Sequence, residues 1–345
     1  MAVWGRFARG LAVATTAAAV AACGGGSSDG TARTPGASGP VPSATGSATP
    51  SGSSTLPAIA SVAVGGEPIG ITEGFGSVWV VNSEFQSGGQ PAVSRIDPAT
   101  NTVIATIPVG EVPLETAAGF GSIWVSNSES DTISRIDPGT DEVVATIDVC
   151  DAPEGFAIGG GSVWVVCENS GRVGIIDAAN DRMVGTVRVG DEPRFAAFAF
   201  GSVWVSNYAG SSVSRIDPAK AKVIATVTVD FGGQVLAAFD GTIWVSSTDF
   251  NTVQRIDPVT DEVVATIDTE VHPDGLLGVN GAMWVATDLG PLLMRIDPAS
   301  NEVTVSAEVA EQGTINANQL FVFADGDLWF PLLDSAEVVR VAVPS

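Results

Sequence analysis

Tryptophan marks off this chain at nearly even intervals. Seven of its eight tryptophans fall at 79, 124, 164, 204, 244, 284 and 329, with gaps of 45, 40, 40, 40, 40 and 45. A fixed period near 40 means one supersecondary unit copied many times, which replaces any reading of the chain as one ordinary domain. The tryptophans sit in similar words: GSVWVVN (76–82), GSIWVSN (121–127), GSVWVVC (161–167), GSVWVSN (201–207), GTIWVSS (241–247), GAMWVAT (281–287) and GDLWFPL (326–332). Eleven residues after six of them comes the position of a second word, VSRIDP or a variant of it. After Trp79 the distance is sixteen, because EFQSGGQ (84–90) lengthens the loop.

Each repeat reads as four short strands. In the fourth they are RFAAFA (194–199), SVWVSN (202–207), SVSRID (212–217) and KVIATVTV (222–229). Valine, isoleucine, threonine and tryptophan dominate, as strands prefer, and FDGT and ADGD in later repeats carry the Asp-Gly hairpin signal. No helical period follows residue 57. Strands apolar on both faces need cover on both, and four-stranded sheets packed around an axis provide it. The last repeat stops after its third strand, AEVVRVAV (336–343), whereas IASVAVGGEP (59–68) matches a fourth strand and its exit. The expectation is an all-β, seven-bladed β-propeller of four-stranded antiparallel blades, closed by the N-terminal strand completing the last blade.

The words VWVSN, VSRIDP and VVATI with its VG exit resemble the YVTN-type β-propeller repeat family of bacterial envelope and secreted proteins, over about residues 58–345. That resemblance implies a fold and no particular activity, because propellers host many unrelated functions.

The Arg–Asp pair of VSRIDP reads as scaffold. Strands lie about 4.8 Å apart, so the third strand runs roughly 10 Å outside the channel wall, and its copies cannot converge on one substrate. Aspartate before proline suits a turn, and the arginine is expected to pair with a carboxylate or carbonyl between blades. Chemistry belongs instead where the repeats differ. Ten residues before each tryptophan the innermost strand begins, at Ile69, Leu114, Glu154, Arg194, Gln234, Asp274 and Gln319, with Glu115 and Phe195 next in line. A concave mouth with a few converging polar groups is the default place for a ligand. Arg194, Glu154, Glu115, Gln234, Asp274, Gln319 and Phe195 are therefore the ligand-binding candidates, set against plain solvated loop residues.

The lone histidine, His272, lies in EVHPDG (270–275), and Glu270–Val271–His272 distantly resembles the histidine–glutamate–magnesium cluster of the virginiamycin B lyases. That resemblance implies a metal-assisted site with His272 and Glu270, but one histidine cannot meet a requirement for several. Magnesium enters only under that alternative; otherwise no cofactor and no metal are expected. There is no phosphate-cradling glycine loop with lysine, no G-x-S-x-G elbow and no paired CxxC. DGD at 325–327 reads as a hairpin rather than a calcium loop. Cys150 replaces the glycine that ends the fourth strand elsewhere, and Cys167 replaces an asparagine. The two either form a disulfide or remain buried thiols.

Residues 1–22 carry Arg6 and Arg9, an apolar run from Leu11 to Ala22 and small residues at the end, the pattern of a secretory signal peptide. VAAC (20–23) resembles the bacterial lipobox, which implies lipid on Cys23 and cleavage before it. Residues 23–56, rich in Gly, Ser, Thr, Pro and Ala, read as a disordered tether reaching roughly 30 Å, and 57–345 as the propeller. Without residues 1–22 the chain keeps 13 basic and 39 acidic side chains, a net charge of −26. Such a surface argues against nucleic acid and against docking on anionic lipid. The expectation is an exported monomer, lipid-anchored to the outer face of the cytoplasmic membrane. It binds or scaffolds an unknown protein, glycan or small ligand at the channel mouth. A lyase or hydrolase at the same mouth, or a purely structural envelope component, are the alternatives.

Overall fold

The computed structural model describes residues 54–83, 90–269, 272–287, 292–309 and 321–344. Residues 1–53 with Cys23, and Glu270 and Gln319, lie outside the described residues.

Seven antiparallel four-stranded units follow one another along the chain. The fourth blade shows the plan, from the axis outward: Pro193–Ala199, Ser202–Asn207, Ser212–Asp217 and Lys222–Thr228. The innermost strands of the first six blades touch in succession, and that of the seventh touches the first. In the seventh blade Val322–Ala324, Asp327–Leu332 and Glu337–Ala342 are completed by Ala58–Ala63, with Ala63 opposite Glu337 and Ala58 opposite Val341. The N-terminal strand thus closes the ring. Ser54–Thr55, assigned to the tether by composition, pairs in parallel with Ala307 and Glu308 as a fifth strand on the sixth blade.

Second strands such as Ser202–Asn207 are buried along their whole length, whereas outermost strands such as Lys222–Thr228 alternate exposed residues with half-buried or buried ones. Cover on both faces is therefore a property of the inner strands only. The exposed edge is managed locally. Each of the seven outermost strands carries an irregular register step against its neighbour. In the first blade Val103 faces Ile96 and Ala105 faces Arg95, which leaves Ile104 opposite nothing and exposed. Such bulges twist an edge away from further pairing. Among the described residues helix is confined to two three-residue 3-10 turns, Glu168–Ser170 and Thr248–Phe250.

The repeated words now have atoms. In six blades the tryptophan indole N–H donates to the carbonyl five residues earlier, as Trp79 does to Gly74 at 2.9 Å, which staples the inner hairpin. The arginine of VSRIDP lies over the tryptophan of its own blade; Arg215 is 4.9 Å from the Trp204 ring. Its Nη1 then reaches the next blade, donating to the Pro258 carbonyl at 2.6 Å and to Asp261 Oδ1 at 2.8 Å. Arg95, Arg135 and Arg255 repeat that grip, and Arg340 carries it across the closure to Pro98 and Asn101. The aspartate accepts from the backbone two residues on, as Asp217 does from Ala219 N–H at 3.0 Å. In DGD, Asp325 and Asp327 both pair with Arg340.

Candidate functional site

The channel mouth is shaped by the loops that enter the innermost strands. Val112, Ala152, Glu192 and His272 each adopt positive φ, and each immediately precedes the proline that begins such a strand. In the fifth blade Gly232 holds the same place with φ of 82°. This left-handed step turns the chain down toward the axis at a steric cost of about 1–2 kcal/mol for a non-glycine residue. His272 is thus a turn residue, and its N–H donates to Asn251 Oδ1 as that of Ala152 does to Asp131.

The third residue of these strands is fixed by a serine of the tryptophan word. Glu115 N–H donates to Ser126 Oγ, Phe195 N–H to Ser206 Oγ and Val235 N–H to Ser246 Oγ, at 3.0 to 3.1 Å. Identical registers carry very different side chains. Phe195 is 6 % exposed and packs with Val235 and Leu276. Glu115 puts a carboxylate in the corresponding place. It lies against the neighbouring strand, its Oε2 3.0 Å from where a Cβ on Gly70 would stand.

Three carboxylates on the innermost strands are buried: Glu115, 2 % exposed, Glu154, 6 %, and Asp274, 1 %. Neither oxygen of Glu115 has a hydrogen-bond partner of good geometry. The Thr116 backbone acts on it only weakly, behind burial and the repulsion of Glu154. Burial first, then Glu154, with a contribution from Asp274, holds the Glu115 carboxyl well above the usual carboxylate range. Glu154 is pushed up to about 8, by burial first and then by Glu168 and Glu192 against the pull of Arg194. Asp274 stands in the sixth blade and Glu115 in the second, so this repulsion acts across the channel. Gln234 is also buried there, whereas Ile69 and Leu114 make the opposite wall apolar.

Arg194 turns to one side. Its Nη2 meets Glu168 Oε1 at 3.5 Å, and its guanidinium lies 4.4 Å from the Tyr208 ring centre. Tyr208 donates to Asp249 Oδ2 at 2.7 Å, and its ring stands 5.5 Å from that of Phe231, tilted by 57°. Burial first, then Asp249, raises the phenol above its ordinary value. Phe231 is 41 % exposed. Sequence reasoning missed Glu168, Tyr208, Phe231 and Asp249. The signal was present, because Tyr208 is the chain's single tyrosine, and all four sit in loops opening on this face.

Behind Glu154, Cys150 and Cys167 are joined in a disulfide, with Cα atoms 5.7 Å apart. Cys167 faces Pro153 across the ladder, so the bridge backs the start of the strand that carries Glu154. Among the described residues no three His, Cys, Asp or Glu side chains are grouped so as to hold a metal ion, and His272 joins no such group.

No protein-family model matches the chain. No curated protein matches it either. Solved structures do. A streptogramin B lyase structure superposes with a TM-score of 0.68 at 16 % identity, covering 81 % of this chain and 94 % of that one. Hydrazine synthase of Kuenenia stuttgartiensis gives 0.66 at 15 % identity, covering 80 % and 96 %. The computationally designed Ika8 protein gives 0.62 at 10 % identity, covering 82 % and 99 %. A lyase, a synthase and a designed protein share this architecture at identities so low that the likeness shows the fold alone: this chain is an all-β seven-bladed propeller.

Proposed function

We propose that this chain is a binding module of the cell envelope, exported and held by lipid on Cys23, with its ligand at the channel mouth. The observation that carries the reading is Glu115. A buried carboxylate without hydrogen-bond donors costs stability, and the same position holds Phe195 and Val235 in other blades without harm to the fold. A purely structural propeller gains nothing from keeping a carboxyl group there. A ligand that supplies the missing partner gives it a use. Signal-like residues 1–22 and the VAAC word support export and anchoring.

The test compares wild type with Glu115→Gln by thermal shift across a panel of small cations, sugars and short peptides. The reading expects the variant to melt higher than wild type without ligand, and to lose the stabilisation that at least one class gives wild type. A panel without any shift, on a variant no more stable than wild type, would return the protein to a structural role. Replacing Cys23 with alanine should move the protein from the membrane fraction to the soluble one. A metal-assisted lyase at the same mouth is the competing reading. It expects magnesium or manganese to raise the melting temperature of wild type and His272→Ala to abolish that rise.

A further inference from the structure

We propose that the mouth takes an organic cation, an amine or quaternary ammonium, between the buried carboxylates Glu115, Glu154 and Asp274 and the aromatic ledge of Tyr208 and Phe231. This rests on the binding reading above and names the chemical class of its ligand.

Charge is the first ground. Glu168, Glu192 and Arg194 act on Glu154, and Glu154 and Asp274 act on Glu115. One guanidinium therefore stands among five carboxylates, and it is already engaged by Glu168 at 3.5 Å. A neutral sugar can donate hydrogen bonds to these oxygens but leaves the repulsion between their ionised forms in place; a cation removes it and favours those forms. Glu115 is the focus, being 2 % exposed with no hydrogen-bond partner of good geometry for either oxygen.

The second ground is independent of the acids. The Tyr208 and Phe231 rings meet at 5.5 Å, and Phe231 is 41 % exposed beside an otherwise charged mouth. Phe250 follows Asp249, which accepts the Tyr208 hydroxyl, and is also exposed. Aromatic faces next to carboxylates are the chemistry that recognises alkylammonium groups. Arg194 over Tyr208 at 4.4 Å shows that a positive group rests against this ring. Size points the same way. No three acidic or histidine side chains among the described residues are grouped so as to hold a metal ion. Charges spread this widely suit an extended organic cation better than a point ion.

Binding a cation here also competes with protons. Glu154 titrates near 8 with Glu168, Glu192 and Arg194 facing it, and Glu115 is raised by burial, Glu154 and Asp274. Affinity for a cation should therefore rise as pH goes from 6 to 9, with net proton release on binding.

The experiment titrates the full chain by calorimetry with cadaverine, spermidine and choline, and with magnesium chloride and trehalose in parallel, at fixed ionic strength. At least one ammonium probe should bind saturably and release protons. Glu115→Gln should weaken it tenfold or more and Phe231→Ala threefold or more, while Tyr208→Phe, which keeps the ring, changes it less. A protein of net charge −24 attracts any cation weakly, but losing one charge of many barely alters such diffuse attraction, so the Glu115→Gln loss separates the site from the surface. Binding of magnesium or trehalose alone overturns the ammonium inference and leaves the mouth a binding site. Equal ammonium binding by wild type and Glu115→Gln also overturns it. Silence from every probe, with Glu115→Gln no more stable than wild type, removes both readings.

Discussion

At the scale of single residues, the informative positions are those where one repeat departs from the rest. In the second and fourth blades a glycine N–H donates to an asparagine seventeen residues on: Gly110 to Asn127 at 3.1 Å and Gly190 to Asn207 at 2.9 Å. A Cβ on Gly110 would stand 2.7 Å from Asn127 Cγ, so no larger residue fits while the asparagine remains. Cys150 and Cys167 change both positions together and replace the hydrogen bond with a covalent one. The sequence marks the paired departure but not the outcome, because bonded and free cysteines read alike until their separation is known. Closing a loop of this length contributes about 3 kcal/mol through the unfolded chain, and the hydrogen bond it replaces about 1 kcal/mol. The Cys150→Gly, Cys167→Asn double variant should therefore fold with the consensus pair restored and lose about 2 kcal/mol. Urea unfolding without reductant measures this; an unchanged midpoint would mean that the bridge adds nothing beyond the hydrogen bond.

At the scale of elements, the strands and their count were legible because tryptophan and the turn residues repeat in phase. That the arginine of VSRIDP pairs with a carboxylate or carbonyl between blades was legible too; which residues it grips was not, since they lie 43 and 46 residues away. Two blades depart, for different reasons. In the third, Ile175 occupies the arginine position and faces Trp164 across the ladder. In the sixth, Arg295 has no turn to hold, because the third and outermost strands of the seventh blade come from opposite ends of the chain and no hairpin joins them. Arg295 instead donates to Thr304 of its own blade at 2.9 Å. Arg215→Ala removes bonds to Ser202, Pro258 and Asp261 and the contact with Trp204. Its expected cost is about 2 kcal/mol, and that of Arg295→Ala less than half as much. Denaturant midpoints of the two variants decide it, and equal losses would count against the grip.

At the scale of the whole molecule, the ring turns small departures in separate repeats into one electrostatic object. Glu115, Glu154 and Asp274 are 39 and 120 residues apart in sequence, yet the propeller sets them around one axis. Their places at the start of the innermost strands follow from the repeat phase. Their burial does not, because it depends on the Gly70 gap and the apolar wall opposite. That burial has a consequence for the entire fold. Glu154 has an ordinary value of 4.5 and is raised to about 8 in the folded protein, so between those values the folded state holds a proton that the unfolded chain releases. Its contribution to stability is full below about pH 4.5 and is lost as the pH rises toward 8, at about 1.4 kcal/mol per pH unit where the two states differ by a whole proton. Glu115 adds in the same direction. Stability measured by urea unfolding should therefore fall from pH 5 to pH 8, against the usual trend of an acidic protein whose carboxylates are paired. Glu154→Gln should flatten that slope and exceed wild type at pH 8, with little difference at pH 5. A wild-type slope that survives the substitution undiminished would place its source elsewhere than at Glu154.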